Sequence, residues 1–287
     1  MHLIERPVFQ SELLTIRHAV ARPTEAECSD LAWAADDLLL LPIAGVFALH
    51  EAPRQHFIAN PNHGLFLALG QPYRISFPGR IGDDCLVLRF SEPALADLLG
   101  ETAGADSLRS PGLRPHCLLS PASIVQRAML WRELARDVPD RLTIEEMCVT
   151  MLDACLRAAC RQERAPSRRH TQARRRGQAE QVKEALSLFP GRDWTLNALA
   201  RLAHTTPHHL ARVFRDEVGL PIHQYLLRTR LGNALEALQA GVQDLTGIAL
   251  DAGFSSHSHF TATFRAHFGS TPVQMRHRLA MANRARS

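Results

Sequence analysis

The distribution of hydrophobic residues changes once in the first 160 positions of the chain. Between residues 8 and 92, apolar runs of four to seven residues alternate with turn residues, a pattern that predicts a β-sandwich or barrel. Between residues 93 and 160, apolar side chains recur at helical spacing, which predicts amphipathic helices over residues 122–137 and 142–160. We therefore expect a small β-structure followed by a pair of helices.

A segment without large apolar side chains comes next. Residues 161–178 are rich in arginine and contain no apolar residue larger than alanine, so they cannot bury a face. We predict a basic linker over residues 163–178, which divides the chain into a domain of residues 1–162 and a second domain of residues 179–287.

A sequence repeat lies within residues 195–276. Each copy predicts a short first helix, over residues 196–203 and about 245–252, and a longer second helix after a tight turn. Equivalent residues of the two second helices stand 50 positions apart: Leu210 and Phe260, Phe214 and Phe264, and Gly219 and Gly269.

Each copy has the layout of a helix-turn-helix unit. Gly253 gives the turn of the second copy a residue that tolerates a positive φ, and His204 occupies this place in the first copy. A capping hydroxyl opens the second helix, Thr206 in one copy and Ser255 or Ser256 in the other. A glycine follows each second helix and ends it.

The segment between the two copies predicts a long helix. Residues 222–240 place apolar side chains on one stripe, and nineteen residues at 1.5 Å each form a rod of roughly 28 Å. A rod of this length can hold two units about one DNA turn apart, roughly 34 Å. Both second helices could then enter successive major grooves on one face of a duplex.

The charge distribution predicts a polyanionic partner for the second domain only. Residues 1–165 contain 16 Lys and Arg against 21 Asp and Glu, whereas residues 166–287 contain 17 against 8. Two recognition-like helices and a rigid spacer in a basic domain together predict that the partner is double-stranded DNA.

The residues of the repeat also match a known pattern. They are Leu199-Ala200, Leu210-x-Arg212-x-Phe214, Gly219-x-Pro221-x3-Tyr225-Leu226-x3-Arg230-Leu231-x2-Ala234, and Ile248-Ala249-x3-Gly253-Phe254-x-Ser256-x2-His259-Phe260-x3-Phe264-Arg265-x3-Gly269-x2-Pro272. On these residues, positions 182–279 resemble the DNA-binding domain of the AraC/XylS family of bacterial transcription regulators. In the first domain, Gly64-x5-Gly70-Gln71-Pro72-Tyr73 resembles the cupin-like pattern found in sensor domains of such regulators.

The resemblance and the hydrophobic pattern together predict an α+β chain of two domains. A cupin-like β-sandwich or barrel with amphipathic helices would form a sensor and dimerisation domain over residues 1–162. An all-α double helix-turn-helix domain over residues 179–287 would bind DNA.

The resemblance also implies which side chains contact DNA. Base-reading positions fall on the outward faces of the two second helices, at His208, Ala211, Arg212, His257, Ser258, Thr261 and Ala262. Arg212 is the strongest candidate among them, because a guanidinium can read guanine through two hydrogen bonds. Phosphate contacts are expected where caps and helix ends present donors, at Thr206, Arg215, Ser256 and Arg265.

These features predict a one-component transcription regulator of the cytoplasm that is not an enzyme and requires no cofactor. A small-molecule effector would bind the first domain, and the helices over residues 122–137 and 142–160 would pair two copies into a homodimer. RNA polymerase is a further candidate partner. A membrane is not, because the longest apolar run, Leu38–Leu49, is shorter than the ~18 residues of a spanning helix, and the N-terminus lacks an apolar signal segment.

A cupin-type enzyme fused to a DNA-binding domain is one alternative. Its metal ligands would come from the histidines of the first domain together with Glu51, namely His18, His50, His56, His63 and His116. We expect no metal site, because this domain lacks the closely spaced His-x-His that such sites usually contain.

Cysteine chemistry offers two further alternatives. A methyl-accepting DNA-repair protein needs an activated, metal-bound thiol cluster, which the six scattered cysteines do not suggest. Cys148, Cys155 and Cys160 lie on one predicted helix, where small buried core residues are the favoured interpretation. A regulator that senses redox state through its cysteines remains the alternative interpretation.

Overall fold

The computed structural model describes residues 2–24, 28–52, 55–104, 107–160 and 169–280. Within these ranges the strands are β1 (His2–Gln10), β2 (Leu14–Arg22), β3 (Ala32–Trp33), β4 (Leu38–Gly45), β5 (Phe47–Ala52), β6 (Gln55–Ala59), β7 (His63–Leu67), β8 (Pro72–Ser76), β9 (Asp83–Phe90) and β10 (His116–Leu118). The helices are α1 (Glu92–Leu98), α2 (Pro121–Leu134), α3 (Arg141–Ala159), α4 (Arg169–Leu188), α5 (Leu196–Leu202), α6 (Pro207–Val218), α7 (Ile222–Gln239), α8 (Leu245–Asp251), α9 (His257–Phe268) and α10 (Pro272–Ala280).

The strands form two antiparallel sheets. One sheet has the order β1-β2-β9-β4-β7-β10, and the other has the order β3-β8-β5-β6. The sheet-rich first part and the helical second part confirm the α+β prediction at this level. The finer cupin-like assignment of the first domain stays a prediction.

The continuous apolar run of β4 is explained by burial on both faces of its sheet. Leu39 and Leu41 pack into a core that also contains helices α2 and α3. Their neighbour Leu40 points to the opposite face, where it packs with Phe47 and Leu67 between the two sheets. A strand with both faces covered has no polar side to alternate with its apolar side.

Two capped helices cover the outer face of the six-stranded sheet. The Ser120 hydroxyl accepts a hydrogen bond from the Ser123 amide at 3.0 Å and caps α2. The Asp140 carboxylate does the same for α3 by accepting from the Leu142 amide at 3.1 Å. These helices lie close to the predicted ranges of 122–137 and 142–160. None of the helices in the described ranges is both long and apolar enough to span a bilayer.

The structure differs from the sequence prediction at the basic linker of residues 163–178. Residues 169–178 form the first half of α4, whereas residues 163–168 lie outside the described ranges. Gln178 is buried and donates a hydrogen bond to the carbonyl of Ala203 at 3.1 Å. The arginine-rich composition hid this helix, because its buried stripe begins only at its middle and its outer face is charged.

Helices α4 to α10 form the second part, and this part packs directly on the first. Helix α2 contacts α9 and α10, and α7 contacts β4. One continuous cluster of buried apolar side chains contains Leu39 of the sheet, Ile124 of α2 and Leu235 of α7. The two parts of the chain therefore share a hydrophobic core in this conformation.

Buried charged groups lie beside this shared core. The Arg127 guanidinium of α2 is fully buried and donates a hydrogen bond to the carbonyl of Pro61. Burial raises the pKa of Glu236 on α7 to about 7, an effect that the positive charge of Arg127 opposes and the negative charge of Asp84 strengthens. Burial likewise raises the pKa of Asp83 to about 7.

The raised pKa of Glu236 predicts a loss of stability with rising pH. Between about pH 5 and 7 the folded chain holds a proton that the unfolded chain has released, so its stabilising contribution disappears as the pH rises through 7. The shift corresponds to about 3 kcal/mol. Glu236→Gln should flatten the fall in unfolding free energy between pH 5 and 8, as measured by urea denaturation at several pH values.

Glu146→Gln is the matched control, since Glu146 is exposed on α3. It should retain the wild-type pH slope. An unchanged slope in Glu236→Gln would contradict the assignment of the slope to Glu236.

Candidate nucleic-acid interface

The first helix-turn-helix unit consists of α5 and α6. The Thr195 hydroxyl caps α5 by accepting from the Ala198 amide at 3.1 Å. The Thr206 hydroxyl caps α6 by accepting from the His209 amide at 3.4 Å. Gly219 ends α6 with a φ of 85°, a left-handed conformation that favours glycine.

The second unit, α8 and α9, repeats this construction. The Asp244 carboxylate caps α8 by accepting from the Thr246 amide at 3.0 Å. Ser256, rather than Ser255, caps α9, and its hydroxyl accepts from the His259 amide at 3.2 Å. Gly269 ends α9 with a φ of 75°. The predicted repeat is therefore present in three dimensions.

The turns of the two units use the same backbone conformation despite different residues. Gly253 has a φ of 80°, as its position in the repeat predicts, and His204 has a φ of 48°. A positive φ is strained for a side chain such as histidine. The first unit accepts this strain at the position where the second unit has glycine.

The inner faces of α6 and α9 are fully buried, which leaves the opposite faces for a ligand. Leu210 and Phe214 of α6, and Phe260 and Phe264 of α9, have no exposed surface. Six of the seven predicted base-reading residues are exposed: His208, Ala211, Arg212, His257, Ser258 and Ala262. Both helices therefore present polar and small side chains to the outside.

Thr261 is the exception among the predicted base-reading residues. It is half-buried, and its hydroxyl oxygen is buried with no hydrogen-bond partner among the described residues. A buried hydroxyl is poorly placed to reach a base edge unless its side chain rotates.

The four predicted phosphate-binding residues are all exposed: Thr206, Arg215, Ser256 and Arg265. The two hydroxyls accept a backbone hydrogen bond as caps, which leaves their own protons free to donate to a phosphate oxygen. Arg215 and Arg265 lie in the last turns of α6 and α9. The structure thus places cap donors and cations at opposite ends of each helix.

Sequence reasoning missed the ion pairs that hold α4 against α6. Arg175 forms ion pairs with Asp216 and, at 3.5 Å, with Glu217. Its neighbour Arg176 lies 4.0 Å from the Glu217 carboxylate. These guanidiniums are partly neutralised within the chain, so they are weaker candidates for DNA contacts than free arginines.

A buried polar contact between the two parts of the chain also escaped the sequence analysis. The side-chain amide of Asn60 donates to the Ser187 hydroxyl at 2.8 Å and to the Tyr225 hydroxyl at 3.1 Å. The Ile58 amide donates to the Glu180 carboxylate at 2.7 Å. All three acceptors lie on α4 and α7, so the helical second part, which forms the DNA reader (α4 to α10), is tied to strand β6 and the turn that follows it.

A cation lies on an aromatic ring in the same contact. The buried Lys183 ammonium stands 3.5 Å from the centre of the Phe57 ring, and the ring of His116 stacks on Phe57 at 3.7 Å. Burial lowers the pKa of Lys183, an effect that its ion pair with Glu180 opposes. No sequence motif connects these residues, because they come together only when the two parts dock.

The histidines proposed as cupin-type metal ligands are placed by aromatic contacts. His18 lies 4.6 Å from the ring of Trp131, and His116 stacks on Phe57. In the part of the chain that the structure describes, no three His, Cys, Asp or Glu side chains stand together as metal ligands. The side chain of Glu51 lies outside the described part.

The cap of α9 yields a prediction with a matched control. Ser256→Ala should lower the free energy of unfolding by about 1 kcal/mol, because the His259 amide loses its acceptor. Ser255→Ala, which removes an exposed hydroxyl one position away, should change it by less than about 0.5 kcal/mol. Urea denaturation measures both values, and equal losses would show that Ser256 does not act as the cap.

Comparison with known proteins agrees with this geometry. A helix-turn-helix domain family matches residues 199–278. The chain is 34% identical over 109 residues to the HTH-type transcriptional activator AarP of Providencia stuartii. The aligned region covers 37% of this chain and 78% of AarP. It is 38% identical over 81 residues to the HTH-type transcriptional regulator GlxA of Rhizobium meliloti, covering 28% of this chain and 25% of GlxA.

A solved structure shows a similarity of the same extent. A transcriptional regulator of Chromobacterium violaceum with an AraC-type DNA-binding domain is 27% identical, and the match covers 36% of this chain and 92% of that one with a TM-score of 0.35. The chain spans less than two thirds of the length of several curated relatives that it matches.

The match to AarP covers more than three quarters of that activator. The helix-turn-helix domain family matches the part of the chain that contains the two helix-turn-helix units. The chain belongs to the AraC family of DNA-binding transcription regulators.

Proposed function

We propose that this protein controls transcription by binding a specific duplex DNA sequence with α6 and α9. The observation that carries the proposal is the pair of capped helices whose apolar faces are buried and whose outward faces carry exposed polar and cationic side chains. Helix α7 separates the two units and, with 18 residues, is about 27 Å long. This length suits two probes, the recognition helices α6 and α9, placed in successive major grooves on one face of DNA.

The proposal assigns different roles to two exposed arginines of α6. Arg212 lies in the middle of the outward face, where a guanidinium can reach a base edge, and Arg215 lies in the last turn. We assign base reading to Arg212 and phosphate binding to Arg215. The same division places His208, Ala211, His257, Ser258 and Ala262 with the base readers, and Thr261 joins them once its half-buried side chain rotates outward. It places Thr206, Ser256 and Arg265 with the phosphate ligands.

This division predicts two different mutant phenotypes. Arg212→Ala should relax the sequence preference, losing about 1–3 kcal/mol of discrimination at one position of the site. Arg215→Ala should weaken binding to all sequences alike and reduce the salt slope of binding by about 1. Sequencing of DNA fragments retained by the purified protein, followed by titration at several salt concentrations, measures both effects. An equal loss on every sequence for both variants would reject the division.

We also propose that a small molecule bound between the two sheets regulates DNA binding. A cavity of about 90 Å³ lies there, lined mainly by apolar side chains that include Leu40, Phe47 and Leu67. Asp83 and Tyr73 add polar groups to its wall. Glu5 lines the same cavity, so the proposed effector is a compact, mostly apolar molecule that carries polar groups. A ligand of this kind acts by binding one conformation of the chain more tightly than another.

The proposed regulator acts as a homodimer in the cytoplasm, without catalysis or cofactor, and RNA polymerase is its candidate protein partner. Helix α2 forms half of the predicted dimer surface, but it packs between the sheet and helices α9 and α10 of its own chain. It is therefore not available to pair with a second copy. The start of α3 is available instead. Leu142 is 71% exposed there, and Val138, just before it, is 79% exposed.

The dimer proposal predicts that a charge at the start of α3 separates the protomers. Leu142→Glu should raise the dimer dissociation constant by about tenfold or more, because a buried leucine contributes roughly 1.5–3 kcal/mol. Leu69→Glu is the matched control, since Leu69 is 59% exposed in the turn after β7. Sedimentation velocity at micromolar concentration should show a wild-type dimer that Leu69→Glu retains. A wild-type monomer, or a dissociation constant that Leu142→Glu leaves unchanged, would contradict this surface.

A further inference from the structure

Two buried cysteines lie side by side in the first part of the chain, between strand β10 and helix α3. Cys117 lies on β10 and Cys155 on α3, with 5% and 1% of their surfaces exposed. Their thiols share a hydrogen bond. Both sulfurs crowd Gly64 of β7: a Cβ at this position would stand 3.0 Å from the Cys155 Sγ and 3.3 Å from the Cys117 Sγ. The absence of a side chain at Gly64 leaves room for the pair.

The two thiols are chemically unequal. The Cys155 thiol and the Gly64 backbone lower the pKa of Cys117 through hydrogen bonds, and the positive charge of Arg114 acts in the same direction against the effect of burial. The shared hydrogen bond and burial raise the pKa of Cys155 well above its usual range. A thiol with a lowered pKa beside a second thiol matches the pairing of an attacking and a resolving cysteine. Both thiols are buried, so a hydroperoxide reaches them only when this part of the fold opens locally.

We propose that Cys117 and Cys155 form an oxidisable pair that regulates DNA binding through β10. The Cys117 thiolate attacks a hydroperoxide; a sulfur–oxygen bond forms, the oxygen–oxygen bond breaks, and water or an alcohol leaves. The Cys155 sulfur then attacks the Cys117 sulfur, a disulfide forms, and water leaves with the thiol proton. The two thiols are oxidised and the hydroperoxide takes up both electrons.

The disulfide acts on β10 because this strand is the shorter of the two elements and is held by fewer buried side chains. A disulfide requires an S–S separation of about 2.05 Å, much shorter than a hydrogen-bonded contact between two thiols, so one element must shift. Helix α3 is held by a row of buried side chains. Strand β10 has three residues and lies at the edge of its sheet, paired only with β7 in the described structure.

Strand β10 and the residue after it carry contacts to the DNA reader on both sides of Cys117. His116 stacks on Phe57, the ring that also holds the Lys183 ammonium of α4. The carbonyl of Leu119 accepts a hydrogen bond from the Arg228 guanidinium of α7. A shift of Cys117 toward α3 therefore pulls on both contacts and loosens α7, the helix that sets the two probes.

The experiment treats the reduced full-length protein with hydrogen peroxide, blocks the remaining thiols and maps disulfides by mass spectrometry. A peptide that links Cys117 to Cys155 should form and disappear with dithiothreitol. Affinity for the DNA fragments that the reduced protein retains should fall by about fivefold or more on oxidation, a modest coupling between sites, and recover on reduction. Hydrogen exchange of α7 should rise in the oxidised protein.

Matched variants separate this pair from other thiols. Cys155→Ser should form no such link, and its DNA affinity should not respond to peroxide. Cys148→Ser removes another buried thiol of α3, whose pKa burial raises to about 12, and should keep the wild-type response. Oxidation confined to the exposed Cys28 would overturn the proposal.

The DNA-affinity measurement depends on the proposed function. Two further outcomes therefore distinguish a failure of the cysteine proposal from a failure of that function. A Cys117–Cys155 disulfide that leaves both DNA affinity and α7 exchange unchanged would overturn the coupling through β10. Reduced protein that retains no preferred DNA sequence would contradict the proposed function instead, while disulfide mapping and α7 exchange would still decide the pair and its coupling.

Discussion

The burial of α7 on two sides is the constraint on which the rest of the structure depends. Its apolar side chains complete the core of the reader, and the same helix packs against β4 of the first part. The buried charge of Arg127 also acts on Glu236 of this helix. Because α7 joins the two helix-turn-helix units, its position fixes the spacing of α6 and α9. Because it also touches the first part, a change there can reach both probes through one rigid element. The proposed regulation by a ligand or by oxidation would act through these contacts.

The two reader units were predictable from the sequence because their signals are local. Caps such as Thr206, ending glycines such as Gly219 and the apolar spacing of each helix lie within a few residues of one another, and the repeat shows the pattern twice. The α+β division was predictable for the same reason, since runs of strand length and helical spacing occur in separate stretches. The first half of α4 was not, because its arginines mask a helix that is held by ion pairs to Asp216 and Glu217.

The contacts between the two parts depend on residues far apart in the chain, and the pattern of a single sequence does not predict them. Asn60 meets Tyr225 across 165 positions, and Arg228 meets the carbonyl of Leu119 across 109. The half-burial of Thr261 was not predictable either, since the resemblance placed this residue on the outward face of its helix. The proximity of Cys117 to Cys155 is a further example: the sequence grouped Cys155 with the cysteines of its own helix.

Footprinting of the protein on a selected DNA fragment tests the central claim most directly. Hydroxyl-radical cleavage should reveal two protected segments per reader, about one helical turn apart and on the same face of the duplex, as α6 and α9 at the two ends of α7 require. Protection of a single segment, or of two segments on opposite faces, would contradict a reader with two probes set by one rigid helix.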